Sequence, residues 1–130
     1  MYLLDTDTLI YLINGNPRVK ASVNTHNTAS IYFSVISYGE LMFGCKKSQR
    51  VSANLTKIEL LKDYYKVVDV TVPVMECFGG VKAILQRSGI TVEPMDLIIG
   101  CTALAMNFTL VTNNVRHYQK IPGLKVENWS

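Results

Sequence analysis

Four acidic residues stand where an apolar segment gives way to the start of a helix: Asp5, Asp7, Glu40 and Asp96. Asp5 ends the run Tyr2-Leu3-Leu4, and Asp7 follows two positions later. Glu40 comes shortly after Ile31-Tyr32-Phe33-Ser34-Val35, and Asp96 follows Pro94 ahead of Leu97-Ile98-Ile99. Carboxylates drawn together from separate segments repel each other unless a cation lies between them. An oxygen-only donor set suits Mg²⁺ or Mn²⁺. Such ions grip phosphate oxygens and activate water, so phosphodiester hydrolysis is the chemistry these residues point to. Local structure offers competing explanations. Asp7 or Thr8 suits a helix N-cap, Ser37-Tyr38-Gly39-Glu40 matches the S-x-x-E capping box, and Asp96 in a first turn is favoured by the helix dipole. Asp5 resists such an explanation, because an acid behind a buried apolar run needs a partner.

Convergence of these acids requires elements that end at one edge. The apolar N-terminal run reads as a buried strand. Helices are expected over Thr8–Asn14, where Asn14-Gly15-Asn16-Pro17 stops the chain, and over Arg18–Asn27. A second strand spans Ile31–Val35. Ser37 then opens a helix to about Ser48, and another runs from Ala53 to Tyr64 with Leu55, Ile58 and Leu61 at helical spacing. Val67–Val70 is a third strand, with Asp69 turned outward. Pro73 suits the first turn of a helix that ends at Ser88-Gly89, with Gly79-Gly80 marking a close packing point. Pro94 opens a helix over Met95–Asn107, apolar nearly all round and therefore buried. Thr109–Thr112 and Leu124–Glu127 supply the last strands. Strands alternating with helices predict an α/β protein, a three-layer α/β/α sandwich around a small, mainly parallel sheet. Ligands of such sheets bind beyond the strands' carboxyl ends, where Asp5, the segment after Val35 and the segment after Thr112 would gather.

Bulk properties fit one domain over residues 1–130. Of the chain, 48% is apolar and 18% charged, with a net charge of +3 that permits an anionic partner without demanding one. Cys45, Cys77 and Cys101 form no CxxC pair, and His26 and His117 lie far apart, so free buried thiols are expected rather than a zinc site. Met1 leads straight into the first strand, and there is no long apolar stretch. A cytoplasmic chain without a membrane span is the expectation.

Four segments taken in order resemble the motifs of PIN-domain ribonucleases, and most closely the VapC-type toxins of bacterial toxin–antitoxin modules. They are Leu3-Leu4-Asp5-Thr6-Asp7, Ser37-Tyr38-Gly39-Glu40-Leu41, Pro94-Met95-Asp96-Leu97-Ile98-Ile99-Gly100, and Leu110-Val111-Thr112-Asn113-Asn114-Val115-Arg116-His117-Tyr118. The ending Ile121-Pro122-Gly123-Leu124 to Glu127-Asn128-Trp129 is also similar. The resemblance implies a PIN-like fold and a metal-dependent endoribonuclease that cleaves tRNA or another structured RNA. Asp5, Glu40 and Asp96 would hold Mg²⁺, with Mn²⁺ as the alternative, and Asn114 would occupy the fourth catalytic position. This chain departs from the family pattern twice: Asp7 stands where Asn is usual, and an amide stands where many relatives have a fourth acid. Asp7 is therefore a candidate for the missing carboxylate. Thr6, Thr112 and Asn113 are candidate supports for the acids. Lys46, Lys47, Arg50 and Arg116, with Lys120, are candidate RNA contacts, each of which also suits a solvated basic face. The resemblance further implies a homodimer and a heteromeric complex with a VapB-type antitoxin that covers the site.

Two other readings compete. Asp5-Thr6-Asp7-Thr8-Leu9 is similar to the opening of haloacid dehalogenase-type phosphatases, but Leu9 stands where that motif needs Thr or Val, and its later Lys and paired acids are missing. A catalytically weak RNA- or antitoxin-binding module on the same fold is the alternative from another class. Converging acids count against it, since unpaired buried carboxylates are costly without a cation.

Overall fold

Five short strands form one sheet in a computed structural model, which describes residues 1–130. The strands are β1 (Tyr2–Leu4), β2 (Ile31–Ser34), β3 (Lys66–Val68), β4 (Thr109–Val111) and β5 (Val126–Glu127). They are parallel throughout, in the order β3-β2-β1-β4-β5. The helices are α1 (Thr6–Ile13), α2 (Pro17–Asn24), α3 (Val35–Lys46), α4 (Val51–Tyr64), α5 (Val72–Arg87), α6 (Pro94–Met106) and α7 (Val115–Tyr118). Successive strand side chains point to opposite faces, so Leu3 and Leu4 divide the interior. Leu3 joins Val74, Val81, Leu85, Leu97, Ile99 and Leu110 under α5 and α6. Leu4 joins Leu9, Val19, Phe33, Leu41, Ile58 and Val111 under α1 to α4. The expected three-layer sandwich is therefore present. No helix is long and apolar enough to cross a membrane.

Register sets the edge. Leu4 stands opposite both Phe33 and Val111. The residues that follow, Asp5, Ser34 and Thr112, therefore stand side by side at the carboxyl edge, Ser34 as the last residue of β2, and all three are buried.

Several boundaries differ from expectation because capping side chains act earlier than periodicity suggests. Asp5, not Asp7 or Thr8, caps α1: its Oδ1 accepts from the Thr6 amide at 2.9 Å. Ser34, not Ser37, caps α3, accepting from the Ile36 amide at 3.0 Å. The strand consequently ends before Val35, Glu40 falls in the second helical turn, and the capping-box reading of Ser37 and Glu40 is overturned. The second helix begins at Pro17 and stops at Asn24, because the Thr25 hydroxyl bonds back to the Ser22 carbonyl at 2.7 Å. Asn27, expected in that helix, instead caps a 3-10 turn over Thr28–Ser30. The helix expected from Ala53 starts at Val51. Strand β3 ends at Val68 and leaves Asp69 exposed, since the chain turns there to let Thr71 cap α5. Helix α5 ends at Ser88-Gly89 as expected, with Gly89 at φ 71°. Gly79 and Gly80 are not a packing point, because a Cβ at either would meet open space. The close approach is at Gly100 on α6, where a Cβ would lie 2.6 Å from Ile121 Cδ1 and 3.4 Å from the Tyr118 ring.

Candidate active site

Asp5 is the centre of the carboxyl edge. Its side chain is bound from three directions: by the Thr6 amide, by the Thr112 hydroxyl at 2.8 Å, and by the Tyr118 hydroxyl at 3.3 Å. Burial pushes its carboxyl up to about 7, and the charges of Asp7 and Asp96 add to the rise against the opposing bonds from Thr112 and Thr6. A carboxylate so well supplied with donors and still hard to ionise lies in a strongly negative, poorly solvated place.

Asp7 occupies the first turn of α1. Its carboxylate accepts from the Asn113 amide at 3.1 Å and lies 3.3 Å from Thr112 Oγ1. The Thr112 hydroxyl thus sits between Asp5 and Asp7, with its one proton directed to the nearer Asp5 oxygen. Glu40 is exposed on α3, where Oε1 accepts from the Thr6 hydroxyl at 2.6 Å. The buried Ser37 hydroxyl backs Thr6 at 2.9 Å. Thr6 and Thr112, expected as supports, both bond the acids.

Asp96 lies in the first turn of α6, where Pro94 and the cap residue Glu93 set the helix start. Glu93 accepts from the Asp96 amide at 3.1 Å. Burial raises the Asp96 carboxyl, and the neighbouring Glu93 charge raises it further, while His117 acts in the opposite direction. His117 Nε2 stands 3.2 Å from Asp96 Oδ2 but off the hydrogen-bonding direction, so this buried nitrogen has no hydrogen-bond partner.

Asn114 is exposed and gives its backbone N–H to Thr112 Oγ1 at 3.0 Å, while its side chain bonds nothing. Asn113 instead ties the edge to the chain end: its Nδ2 donates to Tyr11 Oη, and its Oδ1 accepts from Ser130 Oγ at 2.8 Å. The fourth carboxylate at the edge is Asp7. Lys46 and Lys47 lie at the far end of α3, about 9 Å along the axis from Glu40, and Arg50 precedes α4. Lys47 Nζ rests 4.8 Å above the Phe43 ring. Arg116 is exposed beside His117 on α7. None of these four cations touches the acids. Glu93 and Tyr118 escaped the sequence reading. The E-P-x-D spacing of Glu93 and Asp96 was the available signal for Glu93, and nothing local distinguished Tyr118.

No three His, Cys, Asp or Glu side chains come close enough together to form a metal cage unaided. The donor set nevertheless fits a hard divalent cation. Its members are all carboxylate oxygens, and Asp5 and Asp96 are both held towards their neutral forms by burial and like charge, which a cation would reverse. Mg²⁺ is commonly held by one or two carboxylates, with waters and substrate phosphates completing its shell.

Known proteins agree with this geometry. The PIN domain family matches residues 2–123. The chain is 32% identical to Ribonuclease VapC2 of Rickettsia felis, over 99% of this chain and 98% of the relative. It is 32% identical to the tRNA(fMet)-specific endonuclease VapC of Salmonella typhimurium, over 98% and 97%. Among solved structures, DNA-bound VapBC from Salmonella typhimurium superposes with a TM-score of 0.94 at 32% identity, covering 99% of this chain and 98% of that one. With the family model spanning residues 2–123 and relatives of 32% identity matched almost end to end, the chain belongs to the PIN-domain family, in its VapC ribonuclease branch.

Proposed function

We propose that this protein is a metal-dependent endoribonuclease toxin acting on tRNA, restrained by a VapB-type antitoxin. The observation that carries the reading is the gathering of Asp5, Asp7, Glu40 and Asp96 at one sheet edge, with the Asp5 carboxyl pushed up to about 7 by burial and by like charges. Asp5, Asp96 and Glu40 would hold Mg²⁺ or Mn²⁺, with Asp7 standing in for the fourth acid. The bound ion would neutralise phosphate charge and make water a better nucleophile. Asp5 is fixed by its three donors, so it can meet a cation without rearranging. Glu40 is exposed and held by one hydroxyl, which leaves it free to contact the ion or an attacking water from the solvent side. Lys46, Lys47, Arg50 and Arg116, which do not touch the acids, would hold flanking phosphates rather than the reacting one. The Salmonella relative's name supports tRNA as substrate class. Solved VapBC assemblies of relatives support an antitoxin partner in a heteromeric complex, and the toxin within it would be a homodimer. The site of action would be the cytoplasm.

The test is cleavage of total tRNA by antitoxin-free protein with Mg²⁺ or with EDTA, beside Asp96→Asn. Discrete fragments that need the metal and vanish in the variant are expected. Binding of tRNA without cleavage, in wild type and variant alike, would replace the enzyme with a binding module.

A further inference from the structure

Tyr118 is buried to 1% exposure, yet its hydroxyl does not point into apolar packing. It donates to Asp5 Oδ1 at 3.3 Å, and the Asp96 carboxylate is near enough for its charge to raise the phenol's ionisation. The residue therefore links two elements, bonding the acid at the end of β1 with its hydroxyl and resting its ring on α6, the helix that carries Asp96. The ring is held for this purpose by Gly100, which follows Asp96 by one helical turn. Without a Cβ there, the Tyr118 ring and Ile121 lie directly on α6. Burial together with the charges of Asp5 and Asp96 raises the phenol's own ionisation, so it keeps its proton and stays a donor to Asp5.

We infer that Tyr118 is a positioning residue that holds the Asp5 carboxylate in place against α6 for a divalent cation. The inference rests on the metal-dependent reading above. With a cation bound, the phenol would go on donating to Asp5 and would keep that carboxylate's orientation fixed relative to the helix that carries Asp96. Groups that orient a ligand from behind in this way commonly contribute a factor of about 10 to 100 in metal affinity or activity.

Two variants separate this role from packing. Tyr118→Phe keeps the ring in its slot and deletes only the donor, whereas Tyr118→Leu empties the slot. Mn²⁺ binding is measured by electron paramagnetic resonance and calorimetry on the full chain, alongside kcat and KM on tRNA. Tyr118→Phe should weaken Mn²⁺ binding about tenfold or more and lower kcat at subsaturating metal, with KM for tRNA unchanged. Wild-type affinity in Tyr118→Phe would overturn the inference, and if only Tyr118→Leu is impaired the residue is packing alone. If the wild-type chain takes up no Mn²⁺, the metal-dependent reading itself fails and this inference goes with it, an outcome distinct from equal binding by wild type and Tyr118→Phe.

Discussion

The two edges of the sheet are built from the same strands by opposite means. At the amino edge the chain closes with backbone bonds and apolar rings: the Thr109 amide donates to the Met1 carbonyl at 3.0 Å, and Tyr32 lies against Phe108 with ring centroids 4.8 Å apart. At the carboxyl edge Asp5, Thr8, Ser34, Ser37 and Thr112 are all buried. The other buried polar side chain, Thr102, only returns a bond to its own helix at the Ile98 carbonyl. Burying hydroxyls around an acid stabilises nothing by itself, since each such group costs free energy unless bonded. Their concentration at one edge teaches that this end was shaped by what it must hold, and the other by packing.

Asp5 gives the largest test of that contrast. In the folded chain its carboxyl keeps a proton up to about pH 7, while unfolded it releases one near pH ~4. Between those values the folded state binds more protons, so the Asp5 contribution to stability is present at low pH and lost as pH rises through the window. The full swing is at most roughly 4 kcal/mol, at about 1.36 kcal/mol per pH unit. Asp5→Asn removes it. Relative to wild type without metal, the variant should gain stability from pH 4 to pH 7 and then level off, while cleavage is lost. Urea denaturation across that range reads the difference, and a gap that stays flat with pH would show that Asp5 carries no such load. Added Mg²⁺ should narrow the gap at pH 8 by stabilising wild type alone.

Thr112→Val is the next largest. It deletes the donor to Asp5 Oδ2 and leaves a buried carboxyl oxygen unsatisfied, which costs about 1–3 kcal/mol. Cleavage should fall sharply, and Thr112→Ser should recover much of both losses. Gly100→Ala follows at about 1 kcal/mol, the low end for overpacking, because the nearest obstacle is the terminal Cδ1 of Ile121, which can rotate aside. Calorimetric unfolding would rank the three, and a Gly100→Ala variant as stable as wild type would mean that the Ile121 side chain swings clear at no cost.

The sequence exposes this edge unevenly, for physical reasons. Asp5 and Asp96 are legible because an apolar run before an acid, and a proline two positions before one, are local signals. The strands are legible too, because β-branched and aromatic residues mark Ile31–Ser34 and Thr109–Val111 even at three or four residues. Glu40 is found by position, but the capping role that its spacing suggests belongs to another residue. Ser34 and Ser37 both suit a cap, and only the tertiary structure buries Ser37 behind Thr6. Thr112, Asp7 and Tyr118 acquire their meaning from partners more than a hundred positions away, which no periodicity records. Glu93 looks like any solvated acid until its carboxylate caps the helix that presents Asp96.

The sharpest form of the comparison uses one strand and one substitution. Thr109 opens β4 and Thr112 directly follows its last residue, three positions on, and each can be changed to Val without altering shape much. Thr109 is half-buried at the amino edge, and its hydroxyl makes no side-chain hydrogen bond. Its backbone carries the edge through the bond to Met1, which Val preserves. Valine also suits a strand. Thr109→Val should therefore stay within about 0.5 kcal/mol of wild type, with cleavage and Mn²⁺ affinity unchanged, while Thr112→Val loses both. Equal losses at the two positions would mean that β4 responds to any change in its side chains as a unit. In that case the carboxyl edge owes its sensitivity to strand packing and not to the hydroxyl held between Asp5 and Asp7.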